Sequence, residues 1–266
     1  MKDDFDVITR RFPEREDIRI YGIYDVHKGA KEHLQKAFTE FIASILRDPN
    51  AYVILGGDLI NNALKNSLSN VYEETMRPRE QKRVMTELLR PLAEADRVIA
   101  CVPGNHERRS MKEADDDPTY DICAKLDIED LYRPNMAFIK LQFGKQNGDG
   151  KKNPTYRILA HHGSGGGMLT GGQVNRSERF AATVDGIDLF MVGHSHKPYV
   201  TAPSKIVFDP YWDRVSVKPY RVCSFASWLA YGGYAATKML PPTATADDVP
   251  QWATIYGKRK KIEVTM

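Results

Sequence analysis

Six of the seven histidines in this sequence lie in short polar motifs that also contain aspartate, asparagine or glycine. In chain order the motifs are Asp25-Val26-His27, Gly56-Gly57-Asp58, Gly104-Asn105-His106-Glu107, His161-His162-Gly163 and Gly193-His194-Ser195-His196. Histidines with unrelated structural roles would be scattered, so we interpret the motifs as parts of one site. Imidazole, amide and carboxylate donors without thiolate suit Mn, Fe, Zn, Co or Ni.

The spacing within the motifs indicates that single motifs can contribute more than one ligand. Asp25 and His27 are two positions apart, as are His194 and His196. In extended backbone such pairs project to the same side, so we expect each pair to hold a common centre. The glycines before Asp58 permit a tight turn and a close backbone approach, which lets side chains from separate loops crowd around one point.

The charge balance of the motifs favours phosphate chemistry. The two carboxylates of Asp25 and Asp58 would offset only half of the charge of two divalent cations. Such a site stays electropositive, which favours the binding of phosphate oxygens and of a metal-bound hydroxide.

Each motif directly follows an apolar segment that we predict to be a β-strand. These segments are residues 18–23, 52–55, 97–102, 155–160 and 187–192. In open α/β sheets ligands bind beyond the carboxyl ends of the strands, so five such ends can converge on one crevice.

Helices are predicted between these strands from apolar residues at three- and four-residue spacing. One covers residues 34–46, and a second covers residues 81–95, where Pro91 should kink the helix or end it early. Asp117 directly before a proline is typical of a helix N-cap. A short helix is also expected over residues 173–183.

The second half of the sequence is richer in β-strand patterns. Inward- and outward-facing positions alternate over residues 138–143, and a second strand pattern covers residues 155–160 after a polar turn. Two such segments joined by a turn predict a hairpin. Short β segments are expected at residues 206–208, 215–225 and 262–264. The sequence therefore indicates a mixed α/β fold.

Composition sets limits on the class of protein. At 266 residues and 42% hydrophobic content, the chain can bury one substantial core, and we expect a single domain spanning residues 1–266. We find neither a signal peptide nor a stretch of roughly 20 apolar residues, so we expect a soluble cytoplasmic protein without a membrane partner. Three widely spaced cysteines argue against a disulfide framework and a cysteine-rich metal site.

The overall charge does not decide the partner. A net charge of +3 and a pI near 8.6 are too mild to indicate a nucleic-acid binder by themselves. Nucleic acid stays open as a partner, and the oligomeric state is not indicated. The basic segment at residues 258–261 could contact nucleic acid, although a solvated strand face is the simpler interpretation.

Taken in order, the five motifs resemble those of the calcineurin-like metallophosphoesterase superfamily, which includes purple acid phosphatases, serine/threonine phosphatases and nucleases. The resemblance runs from Asp25 to His196. It implies a four-layer α/β/β/α sandwich of two mixed β-sheets flanked by helices, with a di-metal site at the carboxyl ends of the strands. It also implies a metal-dependent phosphoesterase that uses a hydroxide bridging two divalent transition-metal ions, with manganese favoured.

The resemblance further implies a set of metal ligands, three for each ion and one that bridges them. The set is Asp25, His27 and His196 for one ion, Asn105, His162 and His194 for the other, and Asp58 as the bridge. His161 and His162 would point in opposite directions on a strand, so only one is expected to coordinate. His162 is chosen because His-Gly-Ser-Gly-Gly-Gly looks like a motif variant of prokaryotic and phage-encoded members, and His161 is the substitute.

Further residues near the motifs have possible roles in catalysis. His106 resembles the family's non-ligand histidine that stabilises the transition state or protonates the leaving oxygen; the alternative is that it orients a metal ligand. Arg108, together with Arg109, could clamp a substrate phosphate, or be solvated instead. The glycines of residues 163–172 lack a phosphate-loop pattern, and we interpret this segment as a mobile loop over the site.

The leading functional hypothesis is hydrolysis of a phosphate ester, with a phosphodiester preferred because an alkoxide leaves poorly without a proton from a residue such as His106. A nuclease of the same superfamily, acting on DNA or RNA, is the main alternative. A non-catalytic binding scaffold is a third class, but such a protein should have lost ligands that this sequence retains.

Overall fold

The computed structural model of the chain describes residues 3–65, 67, 71–145 and 153–266. Two mixed β-sheets pack face to face, and helices cover the outer side of each sheet. This arrangement is the four-layer α/β/β/α sandwich expected from the sequence. None of the helices in the described ranges is long and apolar enough to cross a membrane.

The strands form two large sheets and a separate two-stranded ribbon. In chain order they are β1 (Ile8–Phe12), β2 (Ile18–Ile23), β3 (Ala51–Leu55), β4 (Val98–Cys101), β5 (Met136–Phe143), β6 (Thr155–His161), β7 (Leu189–Val192), β8 (Tyr199–Thr201), β9 (Ser204–Asp209), β10 (Arg214–Pro219), β11 (Arg221–Ser224), β12 (Trp252–Ile255) and β13 (Ile262–Thr265). One sheet has the order β13-β12-β2-β3-β4, and the other has the order β1-β5-β6-β7-β11-β8. β2, β3 and β4 run parallel, as do β6, β7 and β11. The motifs that follow these strands therefore lie together at the carboxyl ends of the strands in each sheet.

The helices are α1 (Gln35–Arg47), α2 (Pro78–Glu94), α3 (Glu107–Ala114), α4 (Pro118–Lys125), α5 (Thr170–Thr183) and α6 (Gly233–Thr237). The predicted stripe of α1 is confirmed, because Phe38, Ile42 and Ile45 are buried against the five-stranded sheet. The predicted N-cap of α4 is confirmed as well. The Asp117 carboxylate accepts hydrogen bonds from the backbone N–H groups of the two residues after Pro118.

The helix predicted over residues 81–95 starts earlier than expected and is not broken by proline. It begins at Pro78 and continues through Pro91 to Glu94. An internal proline costs about 3 kcal/mol or more, but Leu89 and Leu92 beside it are fully buried. Because each buried leucine contributes about 1.5–3 kcal/mol, packing of this face offsets the cost of Pro91.

The second half of the chain confirms the predicted hairpin and corrects the prediction for the next segment. β5 and β6 pair antiparallel along their length. The segment predicted over residues 215–225 is divided, because β10 pairs with β9 whereas β11 lies between β7 and β8. The division falls at Pro219, which has no N–H for a ladder, and at Tyr220, whose N–H donates to the Pro203 carbonyl at 3.0 Å.

A buried aromatic contact fixes the two sheets relative to each other next to the motifs. The hydroxyl of Tyr24, directly after β2, donates to the carbonyl of Met191 in β7 at 3.1 Å. The Tyr24 ring stacks on Phe225, directly after β11, with a centroid distance of 5.1 Å. A Cβ at Gly56 would lie 2.0 Å from this tyrosine ring. Glycine at that position therefore lets the loop after β3 approach the contact between the sheets.

Candidate metal centre

The loops that follow β2 and β3 are tied together by backbone hydrogen bonds beyond the ends of the strands. The Asp25 N–H donates to the Gly57 carbonyl at 3.1 Å, and the His27 N–H donates to the Asp58 carbonyl at 2.9 Å. These bonds extend the parallel pairing of β2 and β3 into the motifs. They place the side chains of Asp25, His27 and Asp58 in one group.

Most candidate ligands have left-handed backbone conformations, which corrects the prediction of extended backbone within the motifs. The residues and their φ angles are Asp25 (51°), His27 (49°), Asp58 (51°), His194 (68°) and His196 (55°). A left-handed conformation at a residue other than glycine costs about 1–3 kcal/mol and is concentrated at functional sites. The pairs two positions apart therefore converge through sharp turns that the rest of the fold maintains.

The Asp25 carboxylate is buried and has one oxygen free for a ligand. Its Oδ2 accepts the N–H of His194 at 2.8 Å, whereas its buried Oδ1 has no hydrogen-bond partner among the described residues. A Cβ at Gly193 would lie 2.7 Å from Oδ2, so glycine there permits the backbone approach. An unsatisfied buried carboxylate oxygen is costly unless a cation or donor meets it.

Asp25 forms one group of potential ligands with two histidines. His196 Nε2 lies 3.4 Å from Asp25 Oδ1, and His27 Nε2 lies 3.2 Å from His196 Nε2. His27 Nδ1 donates to the side-chain oxygen of Asn61 at 3.1 Å, which leaves Nε2 with its lone pair toward the group. Burial lowers the pKa of His27 well below its usual value, so its imidazole is neutral, as metal coordination requires.

The second group lies on the other side of Asp58. His162 Nε2 and His194 Nδ1 approach Asn105 Oδ1 at 3.0 and 2.7 Å, and they lie 3.3 Å from each other. The other ring nitrogen of His162 donates to the Gly56 carbonyl at 2.9 Å. Such a bond orients a metal-binding imidazole and fixes its tautomer.

Asp58 lies between the two groups. Its Oδ2 is 3.7 Å from His27 Nε2 and 3.3 Å from His162 Nε2, while its Oδ1 accepts the N–H of His106 at 2.8 Å. One oxygen is therefore held by the backbone, and the other faces histidines of both groups. This is the position that a bridging ligand requires.

The structure separates the two adjacent histidines of the fourth motif. His162 is buried in the cluster, whereas His161, the last residue of β6, packs its ring against Phe180 at a centroid distance of 5.8 Å. His161 Nδ1 accepts the N–H of Gly163 at 2.7 Å. Within the described residues, the arrangement brings His162 and not His161 toward the other candidate ligands.

The electrostatics of the cluster favour positive charge. Burial alone would raise the pKa of Asp58, but the neighbouring His106 and His162 lower it well below its usual range. Burial alone would lower the pKa of His162, but the buried carboxylates of Asp58 and Asp25 raise it to about 9. The pocket thus keeps its carboxylates ionised. A bound cation would displace the proton of His162 and take over its interaction with the carboxylates. Together with the free oxygen of Asp25 and the oriented imidazoles, this means that the residues present fit divalent cations.

Glu107 is a buried residue to which sequence reasoning gave no role. Its carboxylate accepts the backbone N–H groups of Asp58 at 2.9 Å, Ile60 at 3.2 Å and Gly104 at 2.9 Å. Burial and the neighbouring Asp58 raise its pKa to about 7. Glu107 therefore ties the loop after β3 to the loop after β4. An acidic residue directly after Asn105-His106 was the signal in the sequence.

His106 lies beside both groups, and with His27 and Asp58 it forms a further set of side chains close enough to hold an ion. Its Nδ1 donates to the backbone carbonyl of Asn61 at 2.7 Å, and its Nε2 lies 3.7 Å from Asp58 Oδ2. Its ring lies edge-on to that of His27 at 4.4 Å between centroids. The Asn61 carbonyl thereby fixes which ring nitrogen points toward the site. Asn61, whose side chain also orients His27, was not predicted from the sequence.

The two arginines of the motif have different surroundings. Arg109, one turn after His106 in α3, donates from Nη2 to His106 Nε2 at 3.0 Å and from Nη1 to the Asn61 carbonyl at 3.2 Å. Arg108 Nη2 donates instead to the carbonyl of Pro134 at 2.6 Å. Of the two arginines predicted to contact phosphate, Arg109 lies beside the cluster. The Arg108 guanidinium is hydrogen-bonded away from the cluster.

Comparison with known proteins agrees with this geometry. Residues 18–198 match the family model of the calcineurin-like phosphoesterases, and the chain belongs to this family. It is therefore a metallophosphoesterase, a hydrolase that acts on phosphate esters with the help of divalent metal ions. Within the described residues, three sets of side chains lie close enough to hold such an ion: Asp25, His27 and His196; His27, Asp58 and His106; and Asp58, His162 and His194.

Among the solved structures that match the chain, two align with most of its length. One is a conserved protein from Streptococcus pneumoniae, described as a predicted phosphoesterase, with 10% identity, a TM-score of 0.38, and coverage of 93% of this chain and 88% of that chain. The other is a metallophosphoesterase from Sphaerobacter thermophilus, with 14% identity, a TM-score of 0.41, and coverage of 93% and 87%. No curated protein matches the chain.

Proposed function

We propose that this metallophosphoesterase is a binuclear phosphodiesterase. The observation that carries the proposal is the position of Asp58, whose Oδ2 faces His27 and His162 at 3.7 and 3.3 Å. One carboxylate oxygen between two separate ligand groups is suited to two cations rather than one. Asp25, His27 and His196 would hold the first ion, and Asn105, His162 and His194 the second.

The two cations would supply the chemistry that amino-acid side chains lack. A pair of divalent ions lowers the pKa of water and stabilises both the attacking and the leaving oxygen during in-line displacement at phosphorus. The donor set of imidazole, amide and carboxylate suits manganese, and also Fe, Zn, Co or Ni.

His106 is proposed to donate a proton to the leaving oxygen of the diester. Its Nδ1 donates to the Asn61 carbonyl, so Nε2 is the atom that faces the site. Burial lowers the pKa of His106 to about 4, so Nε2 carries no proton in the substrate-free protein; it would take one from solvent when the anionic phosphate binds and then pass it to the leaving oxygen. An alkoxide is a poor leaving group, and such a proton transfer contributes about 10²–10⁴-fold to the rate. An activated aryl leaving group needs little of this assistance.

Arg109, in preference to Arg108, is proposed to bind a non-bridging oxygen of the substrate phosphate. Its guanidinium donates a hydrogen bond to His106 Nε2 at 3.0 Å. When substrate binds, the guanidinium can donate to a phosphate oxygen instead of to this nitrogen. A guanidinium forms strong charge-assisted hydrogen bonds with phosphate. The same exchange would release His106 Nε2 toward the leaving oxygen.

The proposal is tested by metal analysis combined with a substrate panel. Purified protein should bind two divalent ions per chain and prefer an aryl phosphodiester to the matching monoester by at least about tenfold in kcat/KM, which is about 1.4 kcal/mol. Cyclic nucleotides and single- and double-stranded nucleic acids complete the panel. Salt-sensitive cleavage of nucleic acid as the strongest activity would assign the chain as a nuclease.

Two matched variants test the ligand assignment. His162→Ala should lose bound metal and activity, whereas His161→Ala should keep both, because only His162 reaches Asn105 and Asp58.

His106→Ala should retain metal and slow the cleavage of an alkyl diester more than that of an aryl diester. Equal slowing of both substrates would contradict proton donation by His106, and one bound ion per chain would contradict the binuclear site.

A further inference from the structure

The ribbon formed by β9 and β10 stands apart from both large sheets. Within the described residues these two strands pair only with each other, from Ser204 with Pro219 to Asp209 with Arg214. The chain enters the ribbon from β8, at the outer edge of the six-stranded sheet, and returns through β11. A two-stranded hairpin is marginally stable unless something packs on it.

One face of the ribbon is apolar and exposed. Phe208 lies opposite Val215, and Ile206 lies opposite Val217, in register across the two strands. Because side chains alternate along a strand, these four lie on the same face, with exposed fractions of 65%, 63%, 80% and 66% in the order named. Such aliphatic and aromatic cross-strand pairs normally belong to a covered sheet face.

The opposite face of the ribbon is turned toward the protein. Val207 and Ser216, which alternate with the apolar pairs, are partly buried. The Lys205 ammonium hydrogen-bonds the Val184 carbonyl at the end of α5. The apolar face is therefore directed outward by attachment of the ribbon on its other side.

The tip of the ribbon carries two further large aromatic side chains that are exposed. Tyr211 and Trp212 are 82% and 72% exposed, with ring centroids 4.9 Å apart. An aromatic side chain can bury about 150–250 Å². Together with the four strand residues, the ribbon offers an area close to the about 800 Å² per partner of a standard protein interface.

We propose that a second copy of this chain covers the apolar face of the ribbon. The charged residues of the two strands, Lys205, Asp209, Arg214 and Lys218, alternate with the apolar pairs and therefore lie on the opposite face. The apolar face can thus meet a second copy of itself without like-charge repulsion, whereas nucleic acid or an anionic membrane selects a basic surface. A self-complementary patch related by a two-fold axis is the commonest geometry of protein dimers.

The residues at the edge of the ribbon favour packing of the two apolar faces over the addition of another strand. β10 ends in Lys218 and Pro219, and lysine and proline on an edge strand oppose the addition of another strand. The two copies therefore bring the pairs Phe208–Val215 and Ile206–Val217 together face to face.

The proposed interface is remote from the metal centre. The ribbon is attached near Val184 and Tyr220, at the amino ends of β7 and β11, while the motifs follow the carboxyl ends of the parallel strands. A dimer formed through the ribbon leaves both metal centres accessible, so dimerisation and catalysis can be measured separately.

Sedimentation velocity of the 266-residue chain over a dilution series tests the proposal. The wild type should be a dimer that dissociates on dilution. The double variant Phe208→Thr/Val217→Thr keeps β-forming residues and should raise the dissociation constant at least about 30-fold, as loss of central apolar anchors does. Met266→Thr, which removes an apolar side chain that is 59% exposed outside the ribbon, should not change it.

Phosphoesterase activity and circular dichroism of each variant serve as a check on folding, and Trp212→Ser provides a second ribbon variant if the double variant is misfolded. A wild type that is monomeric throughout the series overturns the proposal, as does a dimer that the ribbon variants do not weaken. A monomer that floats with phosphatidylcholine vesicles would overturn it in favour of membrane binding. None of these results bears on the proposed phosphodiesterase activity.

Discussion

The metal centre and the β9–β10 ribbon use opposite means to hold their side chains. At the metal centre, charged and polar residues are buried, and Asp25, Asp58 and three histidines lie in left-handed backbone. In the ribbon, the backbone is a regular antiparallel ladder, and Phe208 and its apolar neighbours are exposed. Strained backbone with buried charge is thus suited to binding cations, whereas relaxed backbone with exposed apolar side chains is suited to packing against another surface.

The largest expected effect is at the bridge between the two ligand groups. Asp58→Ala removes the oxygen that both groups share, and it should lower kcat/KM by at least about 10³-fold, since metal-ion stabilisation of the transition state is worth several kcal/mol. Metal content should fall in parallel, and the circular dichroism spectrum should stay that of the wild type. Full turnover by the purified variant would show that the buried charge at this site has a structural role only.

Glu107→Gln tests whether the strained loops depend on their buried carboxylate. The amide has one acceptor oxygen for three backbone N–H groups, so the free energy of unfolding should fall by about 2–3 kcal/mol. Metal affinity should weaken by about 10–100-fold, as when a group that orients ligands is lost. Urea denaturation and metal titration measure these effects. Glu113→Gln, at an exposed position of the same helix, is the control and should change neither; equal effects at both positions would contradict this role.

Arg109→Ala and Arg108→Ala form a matched pair within one helix. Loss of a charged hydrogen bond to the phosphate costs about 1.5–3 kcal/mol, so Arg109→Ala should lower kcat/KM by about 30-fold. Arg108→Ala should lower it less than threefold, because its guanidinium bonds the Pro134 carbonyl. Steady-state kinetics with an aryl diester decides between them, and the reverse order would restore Arg108 as the phosphate contact.

The smallest expected effect is that of a ribbon substitution on the free energy of unfolding of the monomer. Phe208→Thr should alter the free energy of unfolding, measured at a protein concentration where dimers dissociate, by less than about 0.5 kcal/mol, as is usual for exposed positions. Phe38→Ala, at a fully buried position of α1, should cost about 3–5 kcal/mol. Similar losses for the two variants would mean that the ribbon face is part of the chain's own core.

Features that depend on local sequence were predictable, and features that depend on distant packing were not. The α1 stripe, the Asp117 cap, the β5–β6 hairpin and the strands before each motif follow from periodicity and capping, and the structure contains them. The continuation of α2 through Pro91 depends on burial against the sheet, and the division of β10 from β11 depends on Pro203. Neither the sheet that buries α2 nor Pro203 is close in sequence to the segment that it affects.

The same distinction applies to the candidate site. The residue types and their order indicated which side chains would gather, and the structure places Asp25, Asp58, Asn105 and His194 in one pocket. The left-handed turns could not be predicted, because they are maintained by bonds such as His194 N–H to Asp25, across 169 positions of sequence. The roles of Asn61 and Glu107 were missed for the same reason, since both act on residues in neighbouring loops.

Each ligand group draws its members from both sheets. Asp25 and His27 follow a strand of the five-stranded sheet, whereas His196 follows a strand of the six-stranded sheet. In the second group, Asn105 and His162 are divided in the same way. Each cation would therefore cross-link the two halves of the sandwich. A slide of one sheet over the other would change the distances between the ligands within each group, and the stacking of Tyr24 on Phe225 opposes such a slide.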